Sequence, residues 1–183
     1  MKKPAWLILG VICLVAGLAL GLTNAFTQDA IRRQSAADED KARAAVMPQA
    51  DAFEELAVPE NTAVDGVSIL SCYAAFSKGE ACGWVVKASA QGYGGPIEVT
   101  LGVGLDGVVT GINCGGASFA ETAGLGAKVK EGDFTHQFAG MSAPVRVTKD
   151  GGEVDAVTSA TISSRAVCDA VNAACEYAGT LGE

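Results

Sequence analysis

The stretch Pro96-Ile-Glu-Val-Thr-Leu-Gly-Val-Gly-Leu-Asp-Gly-Val-Val-Thr-Gly-Ile-Asn113 decides between two folds. It contains Gly102-x-Gly104-x-x-Gly107, the string of a dinucleotide fingerprint, which in that role leaves a strand and opens a helix. Here the glycines sit on an apolar, β-branched run. They end at Asp106-Gly107, a turn dipeptide that leads straight into a second such run, Val108–Asn113. The string therefore reads as an antiparallel hairpin and not as a nucleotide site.

Working outward, two further strand-like runs precede the hairpin, Val64–Phe76 and Ala81–Ala90. They are punctuated by Ser77-Lys78-Gly79 and by Gly92-Tyr93-Gly94-Gly95. Connections this short join antiparallel neighbours, because a parallel crossover needs a dozen residues or more. Beyond residue 120 the signals turn helical, with short elements near Thr122–Val129 and Asp133–Phe138 and a last helix from about Ser159 to Tyr177. In that helix Val167, Val171, Ala174, Cys175 and Ala178 recur on one stripe. The fold class is α+β: an antiparallel sheet with flanking helices.

The other end of the chain is different in kind. Ala5 to Leu22 are 18 consecutive apolar or Gly residues, preceded by Lys2 and Lys3. That is longer than the core of a cleaved signal and long enough to span a bilayer, so the expectation is a single uncleaved transmembrane helix. The two lysines place the N-terminus in the cytoplasm and the rest of the chain outside. From Gln28 to about Val46 the sequence is Ala-rich and charged, with Arg32, Arg33, Asp38, Glu39, Asp40, Lys41 and Arg43, as expected of a solvated helical stalk ended by Pro48. The expected organisation is an anchor over 1–26, a juxtamembrane helical stalk over 27–56 and a domain over 57–183. With 13 basic residues against 21 acidic, and only 11 aromatic side chains among 183 residues, a nucleic-acid partner is not expected.

Most catalytic chemistry is also absent. The six cysteines include no C-x-x-C pair, and His136 is the only histidine, so no metal site and no His-based triad are expected. Cys72 and Cys82 can pair across adjacent strands or remain free buried thiols. The chemically suggestive segment is Asp155-Ala-Val-Thr158-Ser159-Ala160-Thr161-Ile162-Ser163-Ser164-Arg165. Hydroxyl residues crowd the start of the last helix, where first-turn N–H groups lack partners and the helix dipole is positive. Two readings remain open there: an anion site, or a helix redundantly capped by Ser and Thr.

Asp155-x-x-Thr158-Ser159-Ala160-Thr161 resembles the attachment motif of the FMN-binding domain family, in which the last Thr carries FMN through a phosphoester bond. Gly92-Tyr93-Gly94-Gly95-Pro96-Ile97, Gly102-x-x-x-Asp106-Gly107 and Glu121-Thr122-Ala123-Gly124-Leu125-Gly126 resemble the same family in the same order. Within it the chain most resembles the G subunits of Rnf complexes, membrane-bound ferredoxin:NAD oxidoreductases that couple electron flow to ion pumping. The related C subunits of sodium-pumping NADH:quinone oxidoreductases share the motifs on longer chains. Two positions depart from the pattern: Ser159 replaces a common Gly, and Phe119 stands where His is frequent.

The resemblance implies FMN joined to Thr161 by a separate flavin transferase that uses FAD and a divalent cation. Thr158, Ser159, Ala160, Ser163 and Ser164 would surround the phosphate. Glu121 and Thr122 would make polar contacts to the ring and Leu125 would cover it. Gly124 and Gly126 would allow close backbone approach, and Tyr93 with Gly94 would close the other side. Glu121 as a helix cap and the glycines as a tight turn fit the same residues. Arg165 either adds charge pairing or is simply solvated. The implied function is that of an electron-carrying subunit with no independent catalytic site, sitting in the cell membrane with other Rnf-type subunits and its FMN domain outside. The alternatives are a stand-alone anchored flavoprotein for extracellular electron transfer and a flavin-free anion-binding module.

Overall fold

A computed structural model of the chain describes residues 5–116 and 118–182. Lys2 and Lys3, on which the expected orientation rests, lie outside the described residues, as do Ala117 and the side chains of Arg32 and Arg33. The chain divides into two compact units, Met1–Asp40 and Lys41–Glu183.

The first unit is helical, part of α1 (Ala5–Val46). Within it Trp6–Gln28 is 23 residues long and apolar enough to cross a membrane, and none of it is buried against protein. At about 1.5 Å per residue it reaches roughly 34 Å, more than a hydrocarbon core of about 30 Å requires. Its exposed leucines, isoleucines and valines have no protein partner, which in water would be a large unfavourable surface and in lipid is none.

The second unit is built on one antiparallel sheet of β1 (Ala52–Leu56), β2 (Ala63–Val64), β3 (Val67–Ser77), β4 (Glu80–Gln91), β5 (Pro96–Gly104) and β6 (Val109–Gly115). The strand order is β1-β3-β4-β5-β6, with β2 pairing β3. Four of these strands answer to the runs read in the sequence, with one correction. The run taken as a single strand from Val64 is broken at Asp65-Gly66, whose positive φ values of 49° and 81° fold β2 back on β3.

The Gly102-x-Gly104-x-x-Gly107 string lies on the β5–β6 hairpin, as its turn chemistry implied. Leu101 pairs with Ile112 and Val103 with Val109 across a bulge. Gly107 takes φ +77° in the turn, and Asp106 accepts the Val108 N–H at 3.0 Å. Gly102 is bare for another reason. A Cβ there would collide with the Val46 carbonyl oxygen and the Thr110 hydroxyl, because the end of α1 lies directly on this face of the sheet. Thr110 also donates a short hydrogen bond to the same carbonyl. Val46, Met47, Ala75 and Val85 form a small apolar cluster there, and Arg43 stacks 4.3 Å from the Tyr73 ring.

The opposite face carries the main core. Ile97, Val99, Leu101 and Val103 of β5 meet α3 (Thr161–Leu181), which buries Ala166, Val167, Ala170, Val171, Ala174 and Ala178. Small residues on that stripe let the helix approach closely. Between sheet and α3 the chain makes a 3-10 turn at Gly126–Lys130, a short α2 (Gly132–Thr135) continued by a 3-10 turn at His136–Phe138, and a further 3-10 turn at Thr148–Asp150. The expected helix at Thr122–Val129 is thus only the 3-10 turn, because Thr122 to Gly124 make a tight turn first, with Gly124 at φ +77°.

All six cysteines are free. Cys72 faces the main core and Cys82 packs on the other face of the sheet, so the pairing considered from sequence is geometrically closed. Burial pushes the thiols of Cys114 and Cys168 up to about 12 and those of Cys72 and Cys175 up to about 11. They are packing residues, not nucleophiles. Replacing Gly102 with Ala is expected to lower unfolding stability by about 1–3 kcal/mol, the cost of overpacking a close backbone approach. Urea unfolding of the full-length protein in detergent measures it, and an unchanged midpoint would contradict the contact.

Candidate functional site

α3 begins without a side-chain cap. Its N-cap is Ala160, which makes no side-chain cap hydrogen bond, and among the described residues none of the Ser or Thr hydroxyls caps the helix, so the redundant-capping reading of the cluster does not hold. Ser159 instead adopts φ +62°, the left-handed conformation that folds Asp155–Ala160 back before the helix starts. That explains why Gly suits this position and why Ser is the more strained occupant. The loop is pinned at both ends. Gln137 accepts the Asp155 N–H at 2.7 Å and donates to the Asp155 carbonyl at 3.3 Å. Ser164, fully buried, accepts the Val157 N–H at 3.0 Å and donates to the Ala160 carbonyl at 3.0 Å.

In front of this helix start lies an open cavity of about 430 Å³, lined by Tyr93, Glu121, Thr122, Leu125, Gly126 and residues 159–163. Glu121 joins its walls. One carboxylate oxygen accepts the Gly94 N–H at 3.0 Å, and the other accepts the Ser163 hydroxyl at 2.8 Å. A Cβ on Gly92 or Gly126 would strike this carboxylate, and one on Gly94 would strike the Ala120 carbonyl. The three glycines therefore let three chain segments close around a single charged side chain. Glu121 does not cap the following 3-10 turn, whose N-cap Leu125 has no side-chain hydrogen bond.

The structure thus brings Tyr93, Glu121, Thr122, Leu125, Gly126, Ser159, Ala160, Thr161 and Ser163 to one cavity, and Gly94 to its wall. Thr158 and Gly124 line the adjoining cleft of about 480 Å³ with Asp155 and Gln137. Ser164 is turned away, its hydroxyl committed within its own loop. Arg165 is not aimed at the cavity: it forms a bidentate pair with Asp150, both contacts 2.7 Å. That guanidinium holds the Asp150 carboxyl below the usual carboxylate range. Phe119 is half-buried against the core under the Lys130 ammonium, 4.5 Å from its ring, and takes no part in the lining.

Two site residues escaped the sequence reading. Ile162 lines the cavity and is 52% exposed, an apolar side chain facing solvent on the helix's first turn. Lys149 donates to the Thr161 hydroxyl at 3.1 Å from the Thr148–Asp150 turn. Ile162 could have been found as the apolar residue off the helix's buried stripe, whereas nothing in the local pattern around Lys149 points at Thr161. The arrangement offers an acceptor hydroxyl, uncapped helix N–H groups and a cation at one end, and an apolar rim of Tyr93, Leu125 and Ile162 at the other. An anionic tail joined to a flat, largely apolar ring fits such a donor set. Among the described residues no group of His, Cys, Asp or Glu is placed to hold a metal ion.

An antiparallel sheet backed by one helix, with this cavity at the helix start, defines a cofactor-cradling α+β domain. Residues 92–176 match the FMN-binding domain. The G subunit of the Na(+)-translocating ferredoxin:NAD(+) oxidoreductase complex of Acetobacterium woodii is 38% identical, over 91% of this chain and 86% of that protein. The G subunit of the ion-translocating oxidoreductase complex of Methanosarcina acetivorans is 35% identical, over 91% of this chain and 89% of that one. The crystal structure of NqrC from Shewanella oneidensis shares the fold, with a TM-score of 0.51 at 20% identity over 68% of this chain and 65% of that one, just under two-thirds of its length. The chain belongs to the FMN-binding domain family, in the branch that contains the G subunits of ion-translocating oxidoreductase complexes.

Two substitutions probe the site's construction. Glu121→Ala removes the acceptor of two hydrogen bonds and is expected to lower stability by about 2 kcal/mol, the range for hydrogen bonds to a charged group. Ser159→Gly relieves the left-handed strain and is expected to raise stability by up to about 1 kcal/mol. Both are read by chemical unfolding of the full-length protein. A stabilising Glu121→Ala or a strongly destabilising Ser159→Gly would contradict the geometry.

Proposed function

We propose that this chain is the electron-carrying G subunit of an Rnf-type ion-translocating ferredoxin:NAD oxidoreductase, bearing FMN as a phosphoester on Thr161. The observation that carries the reading is the position of Thr161. Its hydroxyl stands on the first turn of α3, half-buried on the lining of the cavity, with a lysine ammonium 3.1 Å away. Kinship with the G subunits of such complexes over most of the chain supports the placement in a membrane complex.

Bound FMN supplies one- and two-electron redox chemistry. The chain's own residues do the rest by position. Thr161 Oγ1 is the attachment atom. Ser159 and the uncapped N–H groups of the first turn face the phosphate, and the positive end of the helix dipole favours its charge. Tyr93, Leu125 and Ile162 present apolar surface to the ring, Thr122 a hydroxyl, and Gly126 a close backbone. Glu121 holds the walls in register by its two hydrogen bonds. No proton-transfer residue is required of the protein, and the described lining contains no histidine or cysteine.

The Trp6–Gln28 segment of α1 anchors the domain in the cell membrane as a single pass. The basic pair Lys2 and Lys3 puts the N-terminus in the cytoplasm and the FMN domain outside. There a covalent bond keeps a small cofactor from diffusing away. A flavin transferase using FAD and a divalent cation is the maturation partner, and the other membrane subunits of the complex are the working partners.

Coexpression of the full chain with a flavin transferase is expected to raise the intact mass by one FMN less one water, and Thr161→Ala is expected to abolish the gain. No gain in the wild type, or the same gain in Thr161→Ala, would overturn the assignment.

A further inference from the structure

Several hydroxyl groups crowd the start of α3, and the structure treats them unequally. Ser163 is bonded to Glu121, and Ser164 to Val157 and Ala160. Among the described residues, Thr161 alone of the site's hydroxyls is met by a cation, the Nζ of Lys149 at 3.1 Å. Arg165, one turn further along α3, is instead neutralised by the bidentate contact with Asp150, the residue next to Lys149. Charge is thus divided between neighbours, one pair closed on itself and one ammonium directed at the Thr161 oxygen.

The turn that carries Lys149 is held by backbone bonds. The Thr148 N–H donates to the Val154 carbonyl at 2.8 Å, the Asp150 N–H to the Val147 carbonyl at 2.8 Å, and the Val154 N–H to the Arg146 carbonyl at 3.1 Å. Gly152 lies so close to Arg146 that a Cβ would strike its carbonyl. An exposed lysine loses side-chain freedom when it points at one atom, but a fixed base reduces how much remains to be ordered.

We propose that Lys149 is a positioning residue for covalent attachment at Thr161, selecting that hydroxyl among its neighbours and balancing the charge of the phosphodiester formed there. The inference rests on Thr161 being the acceptor. In the transfer from FAD, the bond from Thr161 Oγ1 to the FMN phosphorus forms and the pyrophosphate bond to AMP breaks. AMP departs with the bridging oxygen, the hydroxyl proton passes to a base of the transferase, and no electrons are exchanged. Lys149 as an ammonium has no lone pair and is not that base. It holds the Oγ1 atom toward the cavity by donating to it. The product anion is bonded to the same atom, where the ammonium meets it as a charge-assisted partner.

The test follows attachment, not electron transfer. Full-length wild type, Lys149→Met and Lys149→Arg are incubated unflavinylated with transferase, FAD and Mg²⁺ in detergent, and the flavinylated fraction is followed by intact mass. Thermal unfolding of the unflavinylated proteins is measured alongside. Lys149→Met is expected to slow attachment about tenfold, the scale of one charge-assisted hydrogen bond, with Lys149→Arg recovering most of the rate and all three melting together. Attachment to Lys149→Met at the wild-type rate overturns the proposal while leaving Thr161 as acceptor. So does an equal loss in Lys149→Arg, or a loss that tracks a lowered melting temperature. Wild type that takes up no FMN, or takes it up on another residue, overturns the acceptor assignment itself.

Discussion

The site depends on one carboxylate. Glu121 reaches from the loop after β6 to the glycine loop before β5 and to the first turn of α3, and it bonds to both. Each of those segments has given up a side chain or turned a hydroxyl to make room: Gly92, Gly94 and Gly126 clear the space, and Ser163 points at the charge. A charged acceptor that is half-buried needs such partners, because leaving it unpaired would cost more than the bonds contribute. The cavity is the space left in front of that junction.

Around the junction the domain divides its labour. The sheet and α3 form a conventional apolar core whose small helix residues keep the helix N-terminus close to the end of the strands. Gln137 and Ser164 shape the loop before α3 from below, so that Ser159 can take its left-handed turn and Thr161 can face outward. The end of α1 covers the other face of the sheet and fills the groove that Gly102 leaves. Electron carriage asks little more of such a scaffold than a fixed position and an exposed edge, which an open cavity with an apolar rim provides. The ionisable groups near it are used for structure and charge balance.

Much of this was legible in the chain itself, and the reasons are local. The hairpin that decides the fold is announced by Asp106-Gly107 between two β-branched runs, so a misleading glycine string could be recognised for what it is. The apolar N-terminal helix is equally plain, since 18 unbroken apolar or Gly residues are long enough to cross a membrane. The cavity's membership followed from a motif resemblance that keeps its order along the chain. What could not be read was set by tertiary contact. Lys149 meets Thr161 across 12 residues from a turn held by backbone bonds and by the Asp150 pair with Arg165. The two oxygens of Glu121 are apportioned by the packing of three segments, and Ser164 faces its own loop although it sits beside Ser163. Asp65-Gly66, by contrast, is a turn signal set inside a longer apolar run that masks it.

The central claim is that one hydroxyl at the start of α3 carries the flavin in the cavity that Glu121 builds. Tandem mass spectrometry of the tryptic peptide Asp150–Arg165 from protein matured with its transferase tests it most directly, because that peptide contains Thr158, Ser159, Thr161, Ser163 and Ser164 together. Fragments that place FMN phosphate on Thr161 and leave Thr158 and Ser163 unmodified are the predicted result. FMN on any of the other hydroxyls, or a peptide wholly unmodified, would contradict it.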